Sequence, residues 1–232
     1  WPERRNKVDY KAIDEIPYLK QKDQWVQIKD ILVQSDNEMH GGGSAFGQDY
    51  VPVLQTVYPG RVFNNCFEWC SGPGFIGFAL LANDLIKNLY LGDIFKPALY
   101  AADLTIKSLP ERYKNNHVET IHMSSPAEID DNLKFDLIVA NPPHWDWTNE
   151  TYISRLMSVR VCDDPAWSIH RDFFSTIKKN LSADGIILLQ EQSWASGPET
   201  FREMIESSGL KITRCFHAET TPEFWYLEVQ HA

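Results

Sequence analysis

Asn141-Pro142-Pro143-His144-Trp145 follows directly on the apolar run Phe-Asp-Leu-Ile-Val-Ala at residues 135–140. Two successive prolines lack N–H donors and cannot continue a sheet, yet they hold the chain extended and leave carbonyls unpaired. A planar amine or amide could donate one hydrogen to the Asn141 side-chain oxygen and another to the Pro142 carbonyl. Both bonds would fix the nitrogen and oppose delocalisation of its lone pair. A flat side chain after the prolines can stack on a planar group; that position is His144, with Trp145 next. The chemistry such a turn suits is transfer of a group to nitrogen by proximity and alignment. A proline-rich strand exit without chemistry is the plain alternative.

A second cluster lies upstream, at Glu68-Trp69-Cys70-Ser71-Gly72-Pro73-Gly74-Phe75-Ile76-Gly77. Gly72, Gly74 and Gly77 form G-x-G-x-x-G between an expected strand and an expected helix. Such a turn lets a ligand approach bare backbone and a helix N-terminus. Alone it suits a nicotinamide dinucleotide, a flavin dinucleotide or S-adenosylmethionine. Glu68 tilts the choice, because a carboxylate there repels a pyrophosphate but balances a cationic methionine moiety. Asp93 falls just after the next expected strand, where a carboxylate can take both ribose hydroxyls; as a helix N-terminal acid it would need no ligand.

The elements that must position these residues alternate. Strands are expected at 65–69, 88–91, 118–123, 135–140 and 185–189, and helices at 75–82, 97–109, 169–181 and 198–208. Residues 211–217 and 224–230 close the chain as two strands with a short connection, an antiparallel hairpin. The expected architecture is α/β: a doubly wound, mostly parallel seven-stranded sheet with a C-terminal antiparallel hairpin. In such a sheet the ends of the first and fourth strands lie side by side at the carboxyl edge. Leu19, Trp25, Ile28, Ile31 and Leu32 recur at helical spacing, so a helix is expected over residues 18–33. Residues 1–42 read as an N-terminal helical extension with a glycine-rich loop, and 43–232 as the ligand-binding domain.

Composition narrows the class. The chain has 232 residues with 22 basic and 32 acidic side chains, a net charge of −10. That balance disfavours loose capture of nucleic-acid backbones. No apolar run approaches the roughly 20 residues of a membrane span. Cys66, Cys70, Cys162 and Cys215 form no C-x-x-C pair, so reduced thiols, a cytoplasmic setting and no metal site are expected. Trp1 in place of Met leads to the expectation of a start inside a longer product or after a removed tag. His170-Arg171-Asp172 is too closely spaced for a triad on one helix and is expected on its solvated face, Ile169, Phe173 and Ile177 marking the buried one.

Taken together, these residues resemble the class I S-adenosylmethionine-dependent methyltransferases with an (N/D/S)-P-P-(Y/F/W) motif. These include adenine-N6, guanine-N2 and HemK-type protein-glutamine enzymes. The resemblance spans about residues 43–230. It implies that Glu68, Gly72 and Gly74 line the methionine moiety, with Cys70 standing where relatives usually have the motif's first glycine. It implies Asp93 and Ile94 at the ribose, and Ser124 and Ser125 at the adenine in place of the usual acid. Asn141 would face both cofactor and acceptor. Asn141, Pro142, Pro143 and His144 would hold the acceptor nitrogen, His144 replacing the usual aromatic. Phe46, Gln48, His144 and Trp145 would contact the substrate. The implied cofactor is S-adenosylmethionine, leaving as S-adenosylhomocysteine. The implied acceptor is a protein glutamine, an exocyclic base amine or a small planar amine. Competing classes are a small-molecule methyltransferase, a non-catalytic methyltransferase-fold partner subunit and a nicotinamide-dependent oxidoreductase.

Overall fold

In the computed structural model, residues 24–35, 47–146, 163–217 and 222–232 are described. Seven strands form the main sheet: β3 (Phe63–Trp69), β4 (Ile86–Asp93), β5 (Val118–His122), β6 (Phe135–Ala140), β7 (Leu181–Gln192), β8 (Leu210–His217) and β9 (Phe224–His231). Their spatial order is β5-β4-β3-β6-β7-β9-β8. The pairs β3–β4, β3–β6, β4–β5 and β6–β7 are parallel, whereas β7–β9 and β8–β9 are antiparallel. The expected doubly wound sheet and closing hairpin are therefore present.

The period of two along each strand sorts the core. Cys66, Leu89, Leu91, Leu137, Val139, Ile186 and Leu188 face one layer, built from α1 (Tyr50–Val57), α2 (Phe75–Ala82) and α3 (Lys96–Lys107). Phe67, Trp69, Ile138, Ala140, Ile187 and Leu189 face the other, built from α4 (Ser168–Ile177) and α5 (Pro198–Ser207). All eight residues of α2 are buried, as an all-apolar helix requires. Among the described residues, no helix is long and apolar enough to cross a membrane.

The helix expected over residues 18–33 is corrected where the structure describes it. Residues 24–35 form an antiparallel hairpin of β1 (Gln24–Ile28) and β2 (Ile31–Ser35), paired Ile28 with Ile31 and Val26 with Val33. Lys29 takes the left-handed conformation at the turn, φ 52°. Ile28, Ile31 and Val33 join the core under α2 and α3, while Trp25 and Leu32 stay exposed. The i, i+3 spacing of Ile28 and Ile31 comes from two strands meeting at a turn, not from a helical stripe. A second correction concerns residues 169–181. The α-helix ends at Ile177, Lys178–Asn180 form a 3-10 turn, and β7 already begins at Leu181. The Asn180 side-chain NH2 donates to the Asp130 and Leu133 carbonyls, which fastens the chain there to the loop before β6.

Candidate active site

The sheet order reverses between β3 and β6, and Trp69 pairs with Ala140 at their ends. The glycine-rich turn and the Asn-Pro-Pro-His turn thus leave neighbouring strands at the carboxyl edge, where open α/β sheets bind ligands. Cys70, Gly72 and Gly74 all have positive φ, at 52°, 53° and 89°. Cysteine is strained there where glycine would not be.

Glu68 turns its carboxylate onto the start of α2. It accepts the Gly77 N–H at 2.6 Å and the Ile76 N–H at 3.3 Å. This explains the last glycine of the motif: a Cβ on Gly77 would lie 2.8 Å from Glu68 Oε2 and 2.4 Å from Leu89 Cδ1. Burial pushes the Glu68 carboxyl up to about 8, against the two backbone donors. Asp93 links the same turn to β4, accepting the Gly72 N–H at 2.7 Å and the Phe95 N–H at 2.8 Å. Burial raises Asp93 as well, and Ile94 beside it is half-buried. Neither Glu68 nor Asp93 has a Lys or Arg partner among the described residues.

Other expected contacts are placed less directly. Ser124 Oγ and the N–H groups of Ser124 and Ser125 donate to Glu128 Oε1 at 2.6, 2.9 and 3.0 Å. Ser125 Oγ accepts the Ala127 N–H at 3.1 Å. Ser125 and Glu128 close a capping box on the 3-10 turn Pro126–Glu128, and the Glu128 carboxylate is held below the usual range by the Ser124 hydroxyl despite some burial. Gly47 packs on Phe75 and Ile76, which brings exposed Gln48 close to the start of α2. Phe46 lies outside the described residues, as do Trp147 and Cys162.

At the second turn, four ionisable side chains run in a line to Asn141. His144 Nε2 lies 2.5 Å from Asn141 Oδ1, and its Nδ1 lies 3.3 Å from Glu191 Oε2. Glu191 Oε1 lies 3.0 Å from His170 Nε2, and His170 Nδ1 lies 2.6 Å from Asp164 Oδ2. Asp164 in turn accepts the Ile169 and His170 N–H groups, capping α4. Side chains of Asp164, His170 and Glu191 are wholly buried, whereas His144 keeps 12% exposure. The expectation of a solvated His170 is corrected. Its ring stacks on Phe201 and meets the edges of Trp69 and Trp167. Burial opposes its charge, but Glu191 and Asp164 outweigh it and push the imidazole up to about 9. Burial likewise opposes the Glu191 charge, yet His170 holds that carboxyl below the usual range.

Trp145 enters this arrangement through its backbone: its carbonyl accepts the Asp164 N–H at 2.8 Å. Pro142 is buried, and Pro143 is half-buried. From beneath, the Tyr50 hydroxyl reaches the Ala140 carbonyl at 2.5 Å and the Leu188 carbonyl at 3.0 Å, tying the end of β6 to β7. The sequence signals for Asp164 and Glu191 were weak. Asp164 precedes Pro165 as a helix-capping acid would, and Glu191 is the one acid in the otherwise uncharged stretch 185–192.

No protein-family profile and no curated protein sequence matches the chain. Solved structures do. TYW2 from M. jannaschii in complex with AdoMet is similar at a TM-score of 0.57 and 14% identity, over 93% of this chain and 89% of that one. The glycopeptide N-methyltransferase MtfA complexed with sinefungin is similar at 0.56 and 10%, over 82% and 87%. A TehB-like SAM-dependent methyltransferase from Corynebacterium glutamicum is similar at 0.52 and 14%, over 80% and 88%. At these identities the likeness is one of fold: the chain has the Rossmann-like fold of the class I SAM-dependent methyltransferases.

Proposed function

We propose that this chain is an S-adenosylmethionine-dependent N-methyltransferase acting on a planar amino or amide nitrogen. The observation that carries the reading is the pairing of Trp69 with Ala140, which sets Asn141-Pro142-Pro143 beside the glycine-rich turn at the reversal of strand order. The donor set suits a cationic ligand. Glu68 and Asp93 are acids without a Lys or Arg partner among the described residues, and burial raises both. A sulfonium with an ammonium group would favour their ionised forms, whereas a pyrophosphate would not. This favours S-adenosylmethionine over a nicotinamide dinucleotide.

When bound, the cofactor supplies an electrophilic methyl group on sulfur. The chain's residues bind and orient. Asp93 holds Gly72 in its turn and faces the ribose region at the end of β4. Asn141 Oδ1 and the Pro142 carbonyl take two hydrogens of the acceptor NH2, leaving its lone pair free to attack. The acceptor nitrogen, so held, would take that methyl group and release its proton to water. No metal is called for, because the sulfonium is already a good leaving group. Protein glutamine, an exocyclic base amine and a small planar amine all offer such a nitrogen.

Incubation of the chain with methyl-labelled S-adenosylmethionine and a cell extract tests the reading. Label should enter protein, nucleic acid or a small molecule as N-methyl. Asn141→Ala should reduce incorporation by about 100-fold or more with cofactor binding retained. Undiminished incorporation by that variant would sink the clamp.

A further inference from the structure

The line Asp164–His170–Glu191–His144 ends on the oxygen that the proposed clamp needs. Both ring nitrogens of His144 face oxygen atoms, Asn141 Oδ1 on one side and Glu191 Oε2 on the other. An oxygen cannot donate to an imidazole lone pair unless it carries a proton, and neither a carboxamide nor an ionised carboxylate oxygen does. With the carboxamide oxygen turned to the ring, both N–H groups must donate, which is the imidazolium form. It occupies Asn141 Oδ1 and leaves Nδ2, which has no partner among the described residues, as the end of the carboxamide turned to a ligand.

Removal of one proton changes the partners. Nδ1 must keep its hydrogen, because it faces a buried carboxylate held ionised by His170. Nε2 becomes a lone pair and can only accept. The Asn141 carboxamide satisfies it by turning over, since its oxygen and NH2 ends have nearly the same shape. Nδ2–H then donates to Nε2, and Oδ1 takes the place Nδ2 had. We propose that His144 is a positioning residue whose protonation state sets the orientation of the Asn141 carboxamide, presenting NH2 to the acceptor when charged and the carbonyl oxygen when neutral. The neutral form turns Oδ1 with both lone pairs open to a substrate amine, whereas in the imidazolium form one lone pair is already taken and the oxygen faces the ring. The imidazolium form suits a ligand oxygen instead.

The surroundings fit this task. Glu191 on β7 carries the charge that faces His144, and His170 on α4 and Asp164 ahead of it stand behind Glu191. From β9 the ring of Phe224 lies 5.6 Å away. Across the crevice Glu68 and Asp93 are the acids nearest the glycine turn, and Asp146 follows on the turn itself, where it accepts the Ala166 N–H at 2.8 Å. His144 is also the member of the line that retains exposure, so it exchanges protons while the buried three hold its orientation. Imidazole is the ordinary side chain that changes charge between about pH 5 and 8.

The catalytic consequence rests on the amine-clamp reading, but its structural core is tested without cofactor or acceptor. Imidazole and side-chain amide 15N spectra of the intact protein would be followed from about pH 5 to 9, with His144→Phe and Asn141→Asp spectra for assignment. The neutral His144 should be the Nδ1–H tautomer, and the Asn141 NH2 signals should shift with the same midpoint. In His144→Phe the Asn141 signals should lose that transition. Glu191→Gln, if it folds, removes the negative charge facing Nδ1 and should move the midpoint downward. An Nε2–H tautomer, or Asn141 signals that ignore the transition, would overturn the proposal. Those wild-type spectra decide it even if Glu191→Gln does not fold. Failure of S-adenosylmethionine to bind would instead strike at the methyltransferase reading and leave the tautomer result standing.

Discussion

Replacing Glu68 by glutamine isolates a proton that β3 holds against the start of α2. Glu68 is 2% exposed, and burial moves its carboxyl from the usual 4.5 up to about 8. A folded-state value above the unfolded one means that the folded chain binds the extra proton between those limits. Stability is then fully present below about pH 4.5 and is lost as the pH rises through about 8. Each unit in that window removes about 1.4 kcal/mol. From about pH 5 to about pH 7.5 the loss is on the order of 3 kcal/mol. The carboxamide of Glu68→Gln cannot ionise, and its oxygen can still accept the Gly77 N–H. The weaker 3.3 Å bond from Ile76 is the one it gives up. Urea unfolding followed by tryptophan fluorescence at stepped pH measures the difference. Wild-type stability should fall across the window and Glu68→Gln should stay flatter by about that amount. His170, pushed up to about 9, adds a loss above about pH 6.5 that both proteins share. Parallel pH dependences for the two proteins would refute the buried-proton reasoning.

Two further substitutions address the glycine-rich turn. Asp93→Asn puts an NH2 against either the Gly72 or the Phe95 N–H, so stability should fall by about 1–3 kcal/mol and S-adenosylmethionine affinity by about 10-fold or more, read by denaturant melts and calorimetric titration. Gly74→Ala places a Cβ 2.9 Å from Leu91 Cδ1 and from the Phe78 ring at a φ of 89°. It should cost about 1–3 kcal/mol and lower the melting temperature by several degrees, while Ser71→Ala, outside the left-handed positions, should move it less.

The parts of the fold most legible in sequence were those with strong local grammar. The run 135–140 and the helix over 75–82 keep the bounds expected of them, because an unbroken apolar strand and a glycine-proline-glycine entry admit few alternatives. Trp69 beside Ala140 followed from the winding rule for parallel sheets. The β1–β2 hairpin was hidden because Ile28 and Ile31 mimic one turn of a helix across a left-handed Lys29. His170 was misplaced for a different reason. Helical periodicity marks a buried face but not the identity of what meets it, and His170 is buried because Glu191 and Asp164 satisfy both its nitrogens. Those partners lie on separate elements, and only the β6–β7 pairing brings Glu191 up to the Asn141 turn. Glu68 and Asp93 were legible as acids at the ends of β3 and β4, while their bonds to Gly77, Ile76, Gly72 and Phe95 needed three dimensions.

Calorimetric titration of the chain with S-adenosylmethionine addresses the central claim most directly. Saturable binding that is weakened in Asp93→Asn, retained in Asn141→Ala and not displaced by a nicotinamide dinucleotide is the predicted result. No binding of S-adenosylmethionine, or its displacement by the dinucleotide, would contradict it.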